Sequence, residues 1–66
     1  MTLTELRQKS TEKVVEMDTI CDIVMTEENS GWFNIYKYKG YGQELVCVRA
    51  YPEREKADAA YSALTS

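Results

Sequence analysis

Histidine is absent from this chain of 66 residues, and proline, cysteine and glycine are scarce, with one, two and three copies. Without histidine the chain lacks the commonest general base near neutral pH and the commonest metal ligand. The sequence also has no glycine-rich phosphate loop, no dinucleotide-binding fingerprint and no nucleophile elbow. These gaps argue against an enzyme, so we expect no cofactor, no metal site and no small-molecule substrate.

The two cysteines, Cys21 and Cys47, stand far apart and lack the paired spacing of a zinc site. We would expect a secreted domain of this size to carry more cysteines, arranged as a disulfide framework. We interpret both residues as reduced thiols that serve as small buried hydrophobes, with a disulfide or regulatory pair as the alternative.

Long hydrophobic runs are missing as well. No apolar stretch reaches the roughly 18 residues that a membrane-spanning helix needs. The start of the chain, Met1–Glu5, has neither the charged beginning nor the apolar centre of a signal peptide. We therefore expect a cytoplasmic protein that makes no contact with a membrane.

Positive residues are fewer than negative ones. The chain has eight lysines and arginines and eleven aspartates and glutamates, which gives a net charge of −3. Such a field mildly repels nucleic acids and acidic membranes. Proteins that neutralise phosphates usually carry a positive excess. The balance of 44% hydrophobic and 29% charged residues is nevertheless that of a folded globular domain.

The hydrophobic pattern predicts a single α+β domain over residues 1–66, with a three-stranded antiparallel sheet packed against two helices. The predicted elements are a helix over Met1–Met17, strands over Ile20–Met25, Trp32–Lys39 and Leu45–Tyr51, and a helix from Pro52 to Leu64. Turns are predicted between the strands, at Glu27–Gly31 and Lys39–Gly42.

The two predicted helices rest on amphipathic stripes. Leu3, Leu6, Val14 and Met17 recur at a helical period, and Thr2 followed by Glu5 has the form of a capping box. The last helix has its own stripe, made of Ala57, Ala60, Tyr61 and Leu64. Arg54 and Asp58 are four residues apart and would pair on its exposed side.

Aromatic residues are concentrated in the middle strand. Trp32, Tyr36 and Tyr38 fall on one side of it, and Phe33 and Ile35 fall on the other. If both helices cover the Phe33 side, the other side faces outward as a binding surface, because Trp, Tyr and Arg are typical of binding hot spots. The alternatives are cross-strand pairing for stability alone and base stacking.

Three further residues bear on that surface. Arg49 and Tyr51 of the third strand would join it in one pairing register, whereas Val46, Val48 and Ala50 make one uniformly apolar face of that strand. Tyr41 stands between two glycines at a hairpin tip, where it is either an adaptable contact or a plain turn residue. The adjacent carboxylates Glu27 and Glu28 are interpreted as a solvated turn rather than a catalytic pair.

Two stretches invite comparison with a known family. Gly31-Trp32-Phe33-Asn34-Ile35-Tyr36-Lys37-Tyr38-Lys39-Gly40 resembles the second strand and turn of the double-stranded RNA-binding domain, and Lys56–Leu64 is similar to its alanine-rich last helix. The predicted order of helix, three strands and helix is also that family's plan. The resemblance implies binding of structured RNA, for which the candidate contacts are Lys9, Lys13, Arg54 and Lys56.

The composition and the absent motifs favour a different function. We expect a non-catalytic protein-interaction module, such as the small regulators and inhibitors that phages and mobile elements often encode. Its candidate binding residues are Trp32, Tyr36, Tyr38, Tyr41 and Arg49. Contact with structured RNA is the alternative, and self-association as a homodimer through the sheet is a third hypothesis.

Overall fold

The computed structural model of the protein describes residues 1–39 and 44–66. Its elements follow one another in the order α1 (Leu3–Gln8), β1 (Glu12–Asp18), β2 (Ile23–Glu28), β3 (Phe33–Tyr38), β4 (Leu45–Tyr51) and α2 (Arg54–Thr65). All strand pairs are antiparallel, and the strands stand in chain order, so that β1 and β4 form the edges of the sheet. The α+β class is confirmed, whereas the prediction of three strands is wrong because the sheet has four.

The additional strand, β1, occupies the second half of the predicted first helix. The helix ends at Gln8, and Lys9 is already extended with φ −71° and ψ 128°. Val14 and Val15 favour a strand because β-branched side chains are stiff in a helix. The prediction of a helix over Met1–Met17 is therefore wrong beyond Gln8.

The N-terminal cap of α1 is confirmed. The Thr2 side chain accepts a hydrogen bond from the Glu5 backbone N–H at 3.2 Å, which satisfies one of the free donors of the first turn. The Glu5 carboxylate contacts the Thr2 hydroxyl, also at 3.2 Å, instead of the Thr2 backbone N–H of a full capping box.

The two helices lie on opposite faces of the sheet. Ala57 of α2 packs on one face against Ile23, Met25, Phe33 and Ile35. Leu6 of α1 packs on the other face against Val24, Tyr36 and Leu45. Because neighbouring residues of a strand point to opposite faces, β2 and β3 are apolar on both sides. The arrangement with both helices over the Phe33 side is not observed, and Tyr36 is covered by α1.

Asp18 builds the turn between β1 and β2. Its Oδ1 accepts hydrogen bonds from the backbone N–H groups of Ile20 and Cys21, both at 2.9 Å. Asp22 then adopts the left-handed conformation with φ 57°. The predicted second strand therefore starts at Ile23 rather than at Ile20, whose side chain is 92% exposed.

The turn between β2 and β3 is shorter than predicted. Gly31 takes a positive φ of 97°, and its N–H bonds to the Glu28 carbonyl at 2.9 Å. Glu27 and Glu28 belong to β2, so their assignment to a solvated turn is wrong. Glu27 faces Lys13 on the neighbouring strand, with 3.8 Å between the Lys13 Nζ and the carboxylate.

The C-terminal helix follows its prediction closely. It begins at Arg54, whose guanidinium contacts the Asp58 carboxylate at 3.0 Å. Ala57 is fully buried and lets the helix lie close to the sheet, while Leu64 keeps 37% of its surface exposed. In the described residues neither helix is long and apolar enough to cross a membrane.

Truncation of Leu6 tests whether α1 is an integral layer of the fold. We expect Leu6→Ala to lower the free energy of unfolding by about 2–5 kcal/mol, because it empties a fully buried position. Leu64→Ala is the matched control on the exposed side of α2 and should cost less than about 1 kcal/mol. Urea denaturation followed by tryptophan fluorescence gives both values, and equal losses would show that α1 does not pack as described.

Candidate functional site

A buried carboxylate lies beneath α1, on β1. Glu12 is 7% exposed, and its Oε1 accepts three side-chain hydrogen bonds. The Thr26 hydroxyl and the Tyr36 hydroxyl each donate at 2.7 Å, and the Asn34 amide donates at 3.1 Å. The Lys9 ammonium lies 3.8 Å from Oε2. This cluster, the Glu12 network, ties the edge strand β1 to β2 and β3.

The network keeps Glu12 ionised and Tyr36 neutral. Burial opposes the charge on Glu12, but the hydrogen bonds from Thr26, Tyr36 and Asn34 and the nearby Lys9 outweigh it and lower the carboxyl pKa. Burial and the bond to Glu12 raise the pKa of Tyr36. Buried side-chain polar atoms in the described residues all have partners. A carboxylate with a lowered pKa and committed donors is a poor general base, so we assign the network a structural role.

The sequence pattern does not reveal the Glu12 network, because the predicted helix over Met1–Met17 includes Glu12 and so gives it no strand partners. Its one sequence signal is the β-branched run that follows, Val14-Val15, which favours a strand. In a strand that pairs with β2, Glu12 shares a face with Thr26, and that face lies under α1.

Charge divides the sheet into two halves. The strands β1 and β2 together contain five carboxylates and one lysine. The strands β3 and β4 contain one lysine, one arginine and no carboxylate, and Lys39 directly follows β3. Because the strands stand in chain order, the acidic half and the basic half lie on opposite sides of the sheet. The basic half is thus a local exception in a chain with a net charge of −3.

A shallow groove lies in the basic half. It has a volume of about 260 Å³ and is lined by Lys37, Tyr38, Lys39, Val46 and Val48. Val46 and Val48 are 41% and 36% exposed. Within the described parts of the chain, no carboxylate lies within 4.0 Å of either lysine or of Arg49. The groove therefore joins an apolar floor to cations that have no ion-pair partner.

The outer edge of β4 is open along most of its length. At its beginning, Thr2 forms an isolated antiparallel bridge with Glu44, and the Leu45 N–H bonds to the Met1 carbonyl. From Val46 to Tyr51 the described residues provide no strand on the outer side. Val48 has no register partner on β3, which marks a bulge at this edge.

The five predicted binding residues are separated by the structure. Tyr36 is only 7% exposed because α1 and the Glu12 network cover it, so its expected outward orientation is wrong. Trp32 is 44% exposed but precedes β3, at the other end of that strand from the groove. Tyr38 is half-buried in the groove, and Arg49 is exposed on β4. Tyr41 lies outside the described residues.

Three of the four predicted RNA contacts already have carboxylate partners. Lys9 pairs with Glu12 and Lys13 with Glu27, both at 3.8 Å. Arg54 contacts Asp58 as well as Glu16, the latter at 3.6 Å, and lies over the Phe33 ring at 5.7 Å. Lys56 is exposed on α2, without a carboxylate within 4.0 Å in the described residues. Contact with RNA through these residues stays a prediction.

Both thiols are free. Cys21 is half-buried, with its Sγ 3.6 Å from the Thr65 carbonyl oxygen at the end of α2. Cys47 is exposed on β4, so the prediction that it serves as a buried hydrophobe is wrong.

Comparison of the chain with family models, with curated proteins and with solved structures gives no match.

Removal of the Tyr36 hydroxyl tests the Glu12 network. We expect Tyr36→Phe to lower the free energy of unfolding by about 1.5–3 kcal/mol, because it deletes a hydrogen bond to a buried charge. Tyr38→Phe is the matched control, since the Tyr38 hydroxyl has no hydrogen bond within the described residues. Urea denaturation measures both variants. Equal, small effects would contradict the network.

Acid titration tests the charge on Glu12. Because the folded pKa of Glu12 is lowered, its contribution is complete above the unfolded value of about 4.3 and is lost as the pH falls through the folded value. The difference in free energy of unfolding between the wild type and Glu12→Gln should thus be constant near neutral pH and shrink below about pH 4.3. Glu55→Gln removes a carboxylate at an exposed position of α2 and is the matched control for the loss of one charge at neutral pH, where it should change the free energy of unfolding by less than about 0.5 kcal/mol. A Glu12 difference that grows in acid would contradict the assignment.

Proposed function

We propose that this chain is a non-catalytic protein-interaction module that binds a partner through the open edge of β4 and the adjoining groove. The observation that carries the proposal is the coincidence of two features at β4. Val46–Tyr51 has no strand on its outer side in the described residues, and Val46 and Val48 are exposed beside it. Such a module would act as a small regulator or inhibitor by binding a segment of its partner.

The physical basis is the unsatisfied backbone of an edge strand. An open edge presents free N–H and C=O groups that template the addition of another strand. Natural sheets protect such edges with charge, proline, bulges or a covering segment. At β4 the segment Met1–Thr2 covers only the first positions, at Glu44 and Leu45. The bulge at Val48 interrupts the rest of the edge, and the Val48 carbonyl accepts a hydrogen bond from the Arg49 guanidinium at 3.0 Å. Strand addition would use the positions on either side of the bulge, where backbone bonds give affinity and side-chain pockets give specificity.

The groove supplies the apolar contact that strand addition needs. A strand beside β4 would place alternate side chains over Val46 and Val48, and burial of these surfaces contributes about 25 cal/mol per Å². The Glu12 network lies away from this edge, on β1 and beneath α1, so it stabilises the module without taking part in binding.

Polar substitution of the two valines tests the proposal. Peptides selected against the immobilised protein from a random display library should bind the wild type and lose at least roughly tenfold in affinity for Val46→Ser/Val48→Ser. The loss follows from the removed apolar contact at positions that are 41% and 36% exposed, so the free energy of unfolding should change little.

The matched control carries the same substitutions at exposed apolar positions elsewhere. Ile20→Ser/Leu64→Ser should bind the selected peptides as the wild type does, since these side chains are 92% and 37% exposed and neither lines the groove. Selected peptides that bind both double variants equally well would contradict a binding surface at β4.

A further inference from the structure

The positive charge on the basic half of the sheet indicates which kind of partner would bind there. We propose that the occupant of the β4 edge is an extended, acidic segment of another protein, with carboxylates on the sheet face on which α2 packs. This inference rests on the proposed function and adds the charge of the partner to it. The juxtaposition that supports it is an open strand edge beside Lys37, Lys39 and Arg49.

These three cations are available to a partner. Each is exposed, and none has a carboxylate within 4.0 Å among the described residues. By contrast, Lys9, Lys13 and Arg54 are each held by an internal carboxylate. The strands β3 and β4 contribute no carboxylate of their own, and the Glu44 carboxylate that precedes β4 lies 3.7 Å from the N-terminal ammonium of Met1. An incoming acidic strand therefore meets mainly attraction along β4.

The strand register places the cations where a new strand needs them. Lys37 pairs with Val46, and Arg49 pairs with Ile35, so both side chains share the sheet face on which α2 packs. A strand added along β4 would have alternate residues on that face, next to Arg49 and within reach of the long Lys37 side chain. Val46 lies on the same face as the two cations, because it pairs with Lys37. Carboxylates of the added strand that point to this face would therefore meet the cations beside Val46.

A second copy of this chain fits the edge less well. Two-fold pairing of β4 with another β4 would bring the same cations to both sides of the interface, and like charges repel. The acidic edge β1 of a second copy has its carboxylates in use, since Glu12 accepts three hydrogen bonds and Glu16 pairs with Arg54. Asp18 accepts the N–H groups of its own turn. The complementary carboxylates must therefore come from another protein.

The test uses two synthetic peptides that share valines at alternate positions and differ in the residues between them, glutamate in one and lysine in the other. Binding to the ¹⁵N-labelled full chain is followed by NMR chemical shifts and by calorimetry. The acidic peptide should bind roughly tenfold or more tightly than the basic one and shift the signals of Val46–Tyr51. Its affinity should fall as sodium chloride rises from roughly 0.05 M to roughly 0.5 M.

Charge reversal supplies the matched pair of variants. Lys37→Glu should weaken the acidic peptide by roughly fivefold or more, whereas Lys56→Glu makes the same change on α2 and should have little effect. Equal effects of the two variants would overturn the assignment, because they would report only the net charge of the chain.

The remaining outcomes separate this inference from the proposed function. If the basic peptide binds the β4 edge equally well or better, the acidic partner is wrong and the binding edge stands. If neither peptide shifts the β4 signals, both the acidic partner and the binding edge at β4 are wrong. If sedimentation shows a dimer that Val46→Ser/Val48→Ser dissociates, the edge belongs to a second copy, and the inference fails.

Discussion

The Glu12 carboxylate is the interaction on which the arrangement of the sheet depends. A charge at 7% exposure is tolerable only when it is hydrogen-bonded, and here Thr26, Asn34 and Tyr36 all donate to one of its oxygens. Those donors come from β2 and β3, so the network joins three adjacent strands. It holds β1 in place as an edge, and β4 is left as the edge at the other side of the sheet.

The two edges of the sheet thus differ in how far their charged groups are paired within the chain. The edge at β1 carries carboxylates that are satisfied within the chain, by the Glu12 network and by Arg54. The edge at β4 carries exposed valines, a bulge at Val48 and cations that have no carboxylate within 4.0 Å in the described residues. Because α1 and α2 pack on opposite faces, β2 and β3 are buried on both sides, whereas residues 46–50 of β4 are exposed. The proposed binding edge follows from this asymmetry.

Strong periodic patterns made β3, β4 and α2 predictable, and a bulge concealed β1. In β1 the extra residue at Val15 lengthens the spacing between Val14 and Met17 to three, which is the spacing of a helix rather than of a strand. The four apolar residues of the predicted helix stripe still pack in one cluster, but two belong to α1 and two to β1: Leu3, Leu6, Val14 and Met17. The predicted helix is therefore wrong in its backbone conformation beyond Gln8. The prediction that these four side chains lie together is confirmed.

The candidate site was harder to predict, because exposure depends on which layer covers each face. Tyr36 and Trp32 belong to one strand face by alternation, yet α1 covers the first and not the second. The apolar character of Val46 and Val48 is evident from the sequence, but their exposure is not: neither valine belongs to the cluster under α1 or the cluster under α2. The division of charge between the two halves of the sheet emerges only once the strand order is known.

Residue-resolved amide hydrogen exchange of the free protein tests the central claim, that β4 is an open edge, most directly. If the edge is open, the Leu45 N–H is protected by its bond to the Met1 carbonyl, whereas alternate amides from Val46 to Tyr51 exchange rapidly. Slow exchange of every amide along β4, matching that of the central strand β3, would show that the edge is covered and would contradict the account.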